Sequence, residues 1–148
     1  MSERIATHRQ PPDADFLVHA DLQAHGMAGA REQLCVKQLD DRRFLMRSLP
    51  FFTYGIALDD EVATDETVTI SRVVRRSGHR LLRVAVKRDA AERFHQDLHP
   101  LLEDEQLLHE WHGLGYVAID LPPQRDPARP MEWLDARARA GSLHYEDG

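Results

Sequence analysis

The chain has 148 residues, 42% of them apolar, one cysteine and a formal net charge of −6. That excludes general disorder, an internal disulfide and a cysteine-built zinc cluster, and leaves one compact domain or two small lobes. The acidic average disfavours broad nucleic-acid binding, which depends on releasing counterions from phosphates, and suits a basic partner. The opening residues Met1–Gln10 are polar with no apolar core, and no apolar run approaches membrane-spanning length. The expectation is a soluble protein of the reducing cytoplasm, without membrane contact. Cys35, set between Leu34 and Val36, reads as a half-buried strand residue.

Residues 1–14, with Pro11-Pro12 and little apolar content, read as a flexible N-terminal arm. Residues 15–148 read as a single compact α+β domain, a β-rich lobe at about 15–78 and an α/β half at about 79–148. A first strand is expected over 16–22, then a Gly26- and Gly29-containing connection. Leu34–Leu39 and Arg43–Leu49 flank Asp40-Asp41, a hairpin signal, since Asp side chains bond their own backbone in turns. Pro50 ends that ladder. Phe51, Phe52 and Tyr54 beside Gly55 read as a buried aromatic corner. Val68–Arg76 is rich in β-branched residues and predicts a long strand, broken at Ser77-Gly78. The whole lobe predicts a small twisted sheet or partial barrel.

From Arg80 to Lys87, Leu82, Val84 and Val86 alternate with Leu81, Arg83, Ala85 and Lys87, which predicts a half-buried strand with a basic outer face. A helix follows, with Asp89 as cap and Glu92 completing a capping box; Ala90, Ala91, Phe94, Leu98, Leu101 and Leu102 form its apolar stripe. Pro100 should kink or divide it, and its second part carries Leu107, Leu108 and Trp111 up to Gly113. A strand over 115–121, a helix near 130–140 facing inward through Trp133, Leu134 and Ala138, and an edge strand at Leu143–Tyr145 complete the chain. The order β-α-β-α-β, with a crossover from the strand at 80 to that at 115, predicts a ferredoxin-like split βαβ half.

Nine histidines draw attention. On a continuous helix His95 and His99 share a face, as do His109 and His112. Such pairs need further ligands; Asp97 or Glu92 would have to serve the first, and neither spacing is a metal signature. The spacing leaves metal binding by residues 95–112 open, and no metal ligand, catalytic residue or cofactor is assigned. A second constellation is Arg76-Ser77-Gly78-His79, with Arg83 further along the strand. A Gly turn flanked by Ser, His and Arg presents N–H groups and cations to an anion, so Arg76, Ser77, His79 and Arg83 are the candidate ligand-binding residues. Ser77 and His79 make no triad by adjacency, and no Gly-rich phosphate loop or nucleophile elbow is present.

Several phrases stand out: Leu49-Pro50-Phe51-Phe52, Gly55-Ile56-Ala57-Leu58-Asp59-Asp60-Glu61-Val62, Arg76-Ser77-Gly78-His79, Leu82-Arg83-Val84, Leu114-Gly115, Leu121-Pro122, and the ending Leu134, Gly141, Leu143 and Tyr145. Together they resemble a bacterial family defined as domain of unknown function 4265. The family usually carries Gly where this chain has Asp59, and the connection from Glu103 to His112 is longer than its pattern. The resemblance implies a fold and small stand-alone bacterial proteins, and it brings no reaction, cofactor or catalytic residue. With size and acidity, it suggests a non-catalytic protein-binding module, of an inhibitor or immunity kind. The alternatives are a small anion or ligand sensor using the basic face near His79, and an enzyme with His79 as acid or base. Oligomeric state is left open.

Overall fold

The computed structural model describes residues 4–148. They form two compact units, one ending at His79 and the other beginning at Arg80.

The first unit is a six-stranded sheet built from β1 (Arg4–Ala6), β2 (Phe16–Asp21), β3 (Ala30–Asp40), β4 (Arg43–Met46), β5 (Glu61–Thr64) and β6 (Ile70–Arg75). The eleven-residue β3 carries β2 antiparallel on one edge, and β1 and β4 in succession on the other. The β3–β4 hairpin turns where the Asp pair predicts it. Asp40 Oδ1 accepts the N–H groups of Arg42 (3.1 Å) and Arg43 (3.0 Å), and the Arg43 guanidinium beside it holds the carboxyl below its usual range. A parallel bridge between His19 and Thr69 brings β6 back toward β2, so the sheet curls into a partial barrel, one of the two forms expected. Val18 and Ala20, Leu34 and Val36, Phe44 and Met46, and Val62 all point inward at period two and form its core with Ile56.

Two features differ from the sequence reading. Residues 1–3 lie outside the described residues, but 4–14 are not a loose arm. β1 pairs parallel with β3, Arg4 opposite Ala30, and His8 and Ala14 are buried. A three-residue strand with one large apolar side chain has no period to read; β3 supplies its register. The second is Val68, whose φ of 62° places a β-branched residue in the left-handed region. The Asp65 side chain holds that turn through the N–H groups of Thr67 and Thr69 (2.8 and 3.1 Å), and the Val68 carbonyl accepts the His19 N–H across the bridge.

The second unit contains β7 (Arg80–Ala85), α1 (Ala91–Asp104), β8 (His109–Trp111), β9 (Tyr116–Leu121), α2 (Ala128–Arg139) and β10 (His144–Asp147). The sheet order is β10-β7-β9-β8 and every pairing is antiparallel. This is the split βαβ, ferredoxin-like arrangement, but the crossover lands elsewhere than expected. It leads from β7 to β8, and β9 inserts between them. His109-Glu110-Trp111 gives no strand signal of its own; β9 recruits it, with Trp111 opposite Val117. Phe94, Leu98 and Leu102 of α1 and Leu134 of α2 pack on Leu82, Val84, Val117 and Ile119 of the sheet. Each fully buried side chain of this size contributes about 1.5–3 kcal/mol.

The first helix also departs from expectation at both ends. It begins after a 3-10 turn, Arg88–Ala90, with no side-chain cap, so Asp89 makes no capping box. It runs through Pro100 undivided and stops at Asp104. There Gln106 takes φ 54°, its N–H reaches the Glu103 carbonyl, and the Leu107 N–H reaches that of Leu102. That is a Schellman stop, closed by apolar contact between Leu102 and Leu107. Leu107 and Trp111 therefore belong to a turn and a strand, not to a second helical part.

Candidate functional site

The aromatic corner is held by a carboxylate. Glu32, fully buried on β3, accepts the backbone N–H groups of Phe51 (2.6 Å), Phe52 (3.1 Å) and Thr53 (3.0 Å) and the Thr53 hydroxyl (2.7 Å). His8 Nε2 lies 2.6 Å away on the other side, and its ring stacks on Phe51 at 4.2 Å. Burial alone would raise the Glu32 carboxyl; His8, Thr53 and the Phe51 N–H outweigh it and hold the group below its ordinary value. An ionised carboxylate only accepts, so Nε2 of His8 carries the proton. Phe51 is core as expected, whereas Tyr54 is exposed.

The Arg76–His79 turn is tied to the Ala57–Asp60 turn. Asp60, buried, accepts the N–H of Ser77 (2.8 Å) and that of Ala57 (2.9 Å), and Ser77 donates its hydroxyl to the Leu58 carbonyl (2.6 Å). Ser77 Oγ in turn accepts the His79 N–H at 3.1 Å. Asp59 has φ 64°, in the left-handed region that favours glycine, and its carboxylate pairs with Arg47 and lies 3.8 Å from His79 Nε2. The Ser and His of this phrase thus take part in joining two turns.

Arg83 sits in the second unit, and it is not on an exposed basic face. It is 2% exposed, and its guanidinium donates to the Gly148 carbonyl at 2.6 Å. Leu81, on the same side of β7, is equally buried, so alternation in this strand separates two covered faces. Asp120 is buried too, and the register sets it opposite Leu81, a diagonal neighbour of Arg83 on that face.

One cleft is lined by Arg76 and by none of the other three candidates. β6 and β2 meet through the one parallel bridge at His19, and beyond it a cleft of about 840 Å³ opens between Ala20-Asp21, Gln23, His25, the corner Thr53–Ile56 and residues 70–73 of β6. Arg72 and Arg76 border it as exposed cations; Arg76 also donates to the Gly55 carbonyl at 2.8 Å. The rings of His25 and Tyr54, which also line it, stand 5.4 Å apart. Asp21 is the acid at the rim, and its carboxylate accepts the Gln23 N–H at 2.9 Å. Register shifts on either side of Val62-Ala63 twist β6 where Arg72 leaves it. Ser77 and His79 do not line this cleft. Sequence reasoning missed Arg72, His25 and Tyr54 as a group because they come from three segments that only barrel curvature brings together.

The histidines regroup as well. His95 stacks on His99 along α1 (5.1 Å), but His109 and His112 are on and beside β8, not on a helix face. The cross-element partner of His99 is His109, at 3.2 Å between Nδ1 and Nε2, with Glu103 beside both. Glu92 and Asp97 have no place in that group.

Comparison with known proteins agrees with this architecture. Residues 32–145 match the family model described as Domain of unknown function (DUF4265). The chain belongs to that family. A solved structure of a hypothetical protein from Neisseria gonorrhoeae aligns over 99% of this chain and 93% of its own, with a TM-score of 0.65 and 20% identity, which speaks for a shared fold. No curated protein matches the chain.

Proposed function

We propose that this chain is a non-catalytic binding protein whose first unit receives a small anionic ligand in the cleft between β2 and β6. The observation that carries the reading is the gathering of Arg72 and Arg76 with His25 and Tyr54 in one concavity. Its volume of about 840 Å³ lies within the span of small-molecule sites, roughly 300–1,000 Å³. Arg72 and Arg76 meet one lining acid, Asp21, with the buried Asp60 carboxylate 3.9 Å from Arg76, and offer an anion two guanidinium groups on a chain of net charge −6. Guanidinium groups suit carboxylate or phosphate, and the His25–Tyr54 pair with Ile56, Ile70 and Val73 suits a flat or apolar body. The sequence also allows a protein partner; the cleft favours the small ligand.

Thermal-shift measurements with inorganic phosphate, nucleotides and aromatic carboxylates test this. A ligand at 100 times its dissociation constant should add about 2.7 kcal/mol of stability. Arg72→Ala and Arg76→Ala should each reduce that gain. No gain with any anion, or a gain that neither variant changes, removes the reading, and capture of a protein partner insensitive to both would replace it. No described helix is long and apolar enough to cross a membrane. A reducing cytoplasm suits the single buried thiol, Cys35.

A further inference from the structure

We infer that His99, Glu103 and His109 form a binding site for a divalent transition metal of the zinc class, with one coordination position open to solvent. One ligand atom from each lies within 4.8 Å of the others. His99 and Glu103 are one turn apart on α1, and the Schellman stop at Gln106 brings β8, and so His109, against that face.

The hydrogen-bond inventory shows why a cation belongs there. Nδ1 of His109 lies 2.8 Å from the Leu107 carbonyl, an acceptor, so that nitrogen carries the proton and, in the neutral ring, Nε2 carries a lone pair. This lone pair faces Nδ1 of His99 at 3.2 Å and the Glu103 carboxylate at 3.6 Å. The indole N–H of Trp111, a donor only, aims at the same Nδ1 from 3.3 Å. With both rings neutral, either tautomer of His99 leaves a conflict. With a bare Nδ1, two lone pairs oppose each other; with a protonated Nδ1, two N–H groups do. A metal ion between Nδ1 of His99 and Nε2 of His109 uses both lone pairs and faces the carboxylate, while Trp111 releases Nδ1.

The spacing suits a tetrahedral ion. Metal–nitrogen bonds of about 2.0–2.1 Å set ligand atoms about 3.3 Å apart; the observed separations are 3.2 Å between the imidazoles and 3.6 Å from His109 to Glu103, and the Glu103 carboxylate, which lies 3.7 Å from the other His99 nitrogen, Nε2, would turn toward Nδ1 to complete the set. The Leu107 carbonyl supplies the orienting bond that metal-bound histidines need. Access follows from burial. The His109 side chain is 8% exposed and Glu103 63%, and a recess of about 510 Å³ lined by Leu102, Glu103, Gln106, Leu108 and His109 opens beside them. Three protein ligands leave a fourth position for water or an added ligand.

The test is titration of the untagged full chain with zinc and with cobalt, read by calorimetry, by the visible spectrum of tetrahedral cobalt and by tryptophan fluorescence. One equivalent should bind, develop that spectrum and change the emission as Trp111 gives up its contact. Glu103→Gln, at an exposed position that folding tolerates, and His109→Ala should each weaken binding by more than the roughly 10–100-fold that loss of an orienting partner costs. His144→Ala should leave it unchanged. No stoichiometric binding, or binding that Glu103→Gln leaves at full strength, overturns the assignment. So does equal weakening by His144→Ala.

Discussion

Glu32 takes both the backbone N–H and the hydroxyl of Thr53, at 3.0 and 2.7 Å, across a gap of 21 residues in sequence. Three successive amides converge on this one carboxylate, so the Pro-Phe-Phe phrase is in effect an anion nest filled by the protein's own side chain.

The acid limb of stability should therefore depend on Glu32. Its carboxyl is depressed in the folded state from an ordinary value of 4.5, so its stabilising share is complete above that value. The share is lost as pH falls from there through the lower folded value. Glu32→Gln should cost about 3–5 kcal/mol at neutral pH, the cost of breaking a buried charged network, and should flatten the acid limb. Urea midpoints measured from neutral pH to below 4.5 check both.

Arg83→Ala should destabilise strongly, about 3–5 kcal/mol, because it removes a buried guanidinium and leaves its partners unpaired. Arg80→Ala, an exposed neighbour paired with Asp147, should change stability by less than about 1 kcal/mol. Equal effects of the two in urea unfolding would contradict the burial of Arg83.

Asp59→Gly should leave the protein about as stable as before. Relief of the left-handed backbone, about 1 kcal/mol, offsets the loss of half-exposed pairing to Arg47 and His79. Asp59→Ala loses the pairing without that relief and should be the weaker of the two in thermal unfolding.

Gln106→Gly should raise stability by about 0.5–1 kcal/mol, since the Schellman position at φ 54° suits glycine and the Gln side chain is exposed. Denaturant melts check it, and a loss would mean that Gln106 does more than end the helix.

The sequence discloses those elements whose own period is strong. β2, the β3–β4 hairpin, β6, β9 and α2 stand where alternation or helical spacing puts them, and the family phrase from Leu49 to Val62 covers the part of the chain that Glu32 and Asp60 organise. What stays hidden depends on partners distant in sequence. β1 and β8 are three residues each and take their register from β3 and β9. Arg83 looks solvated because alternation shows two faces and cannot say that both are covered. Arg76 was visible as a candidate, yet its cleft companions Arg72, His25 and Tyr54 were not, and His99 was matched along the helix with His95 before the fold turned it to His109.

The barrel's seam has a dynamic consequence. β2 meets the residue just before β6 through an isolated bridge, His19 to Thr69, whereas β2 and β3 are paired over six residues. Spreading the seam breaks less backbone pairing than parting the neighbouring strands of this sheet, so breathing should concentrate there. Among the hydrogen-bonded strand amides of the first unit, exchange should be fastest at His19, and a guest would enter by prising this edge apart, with no lid required.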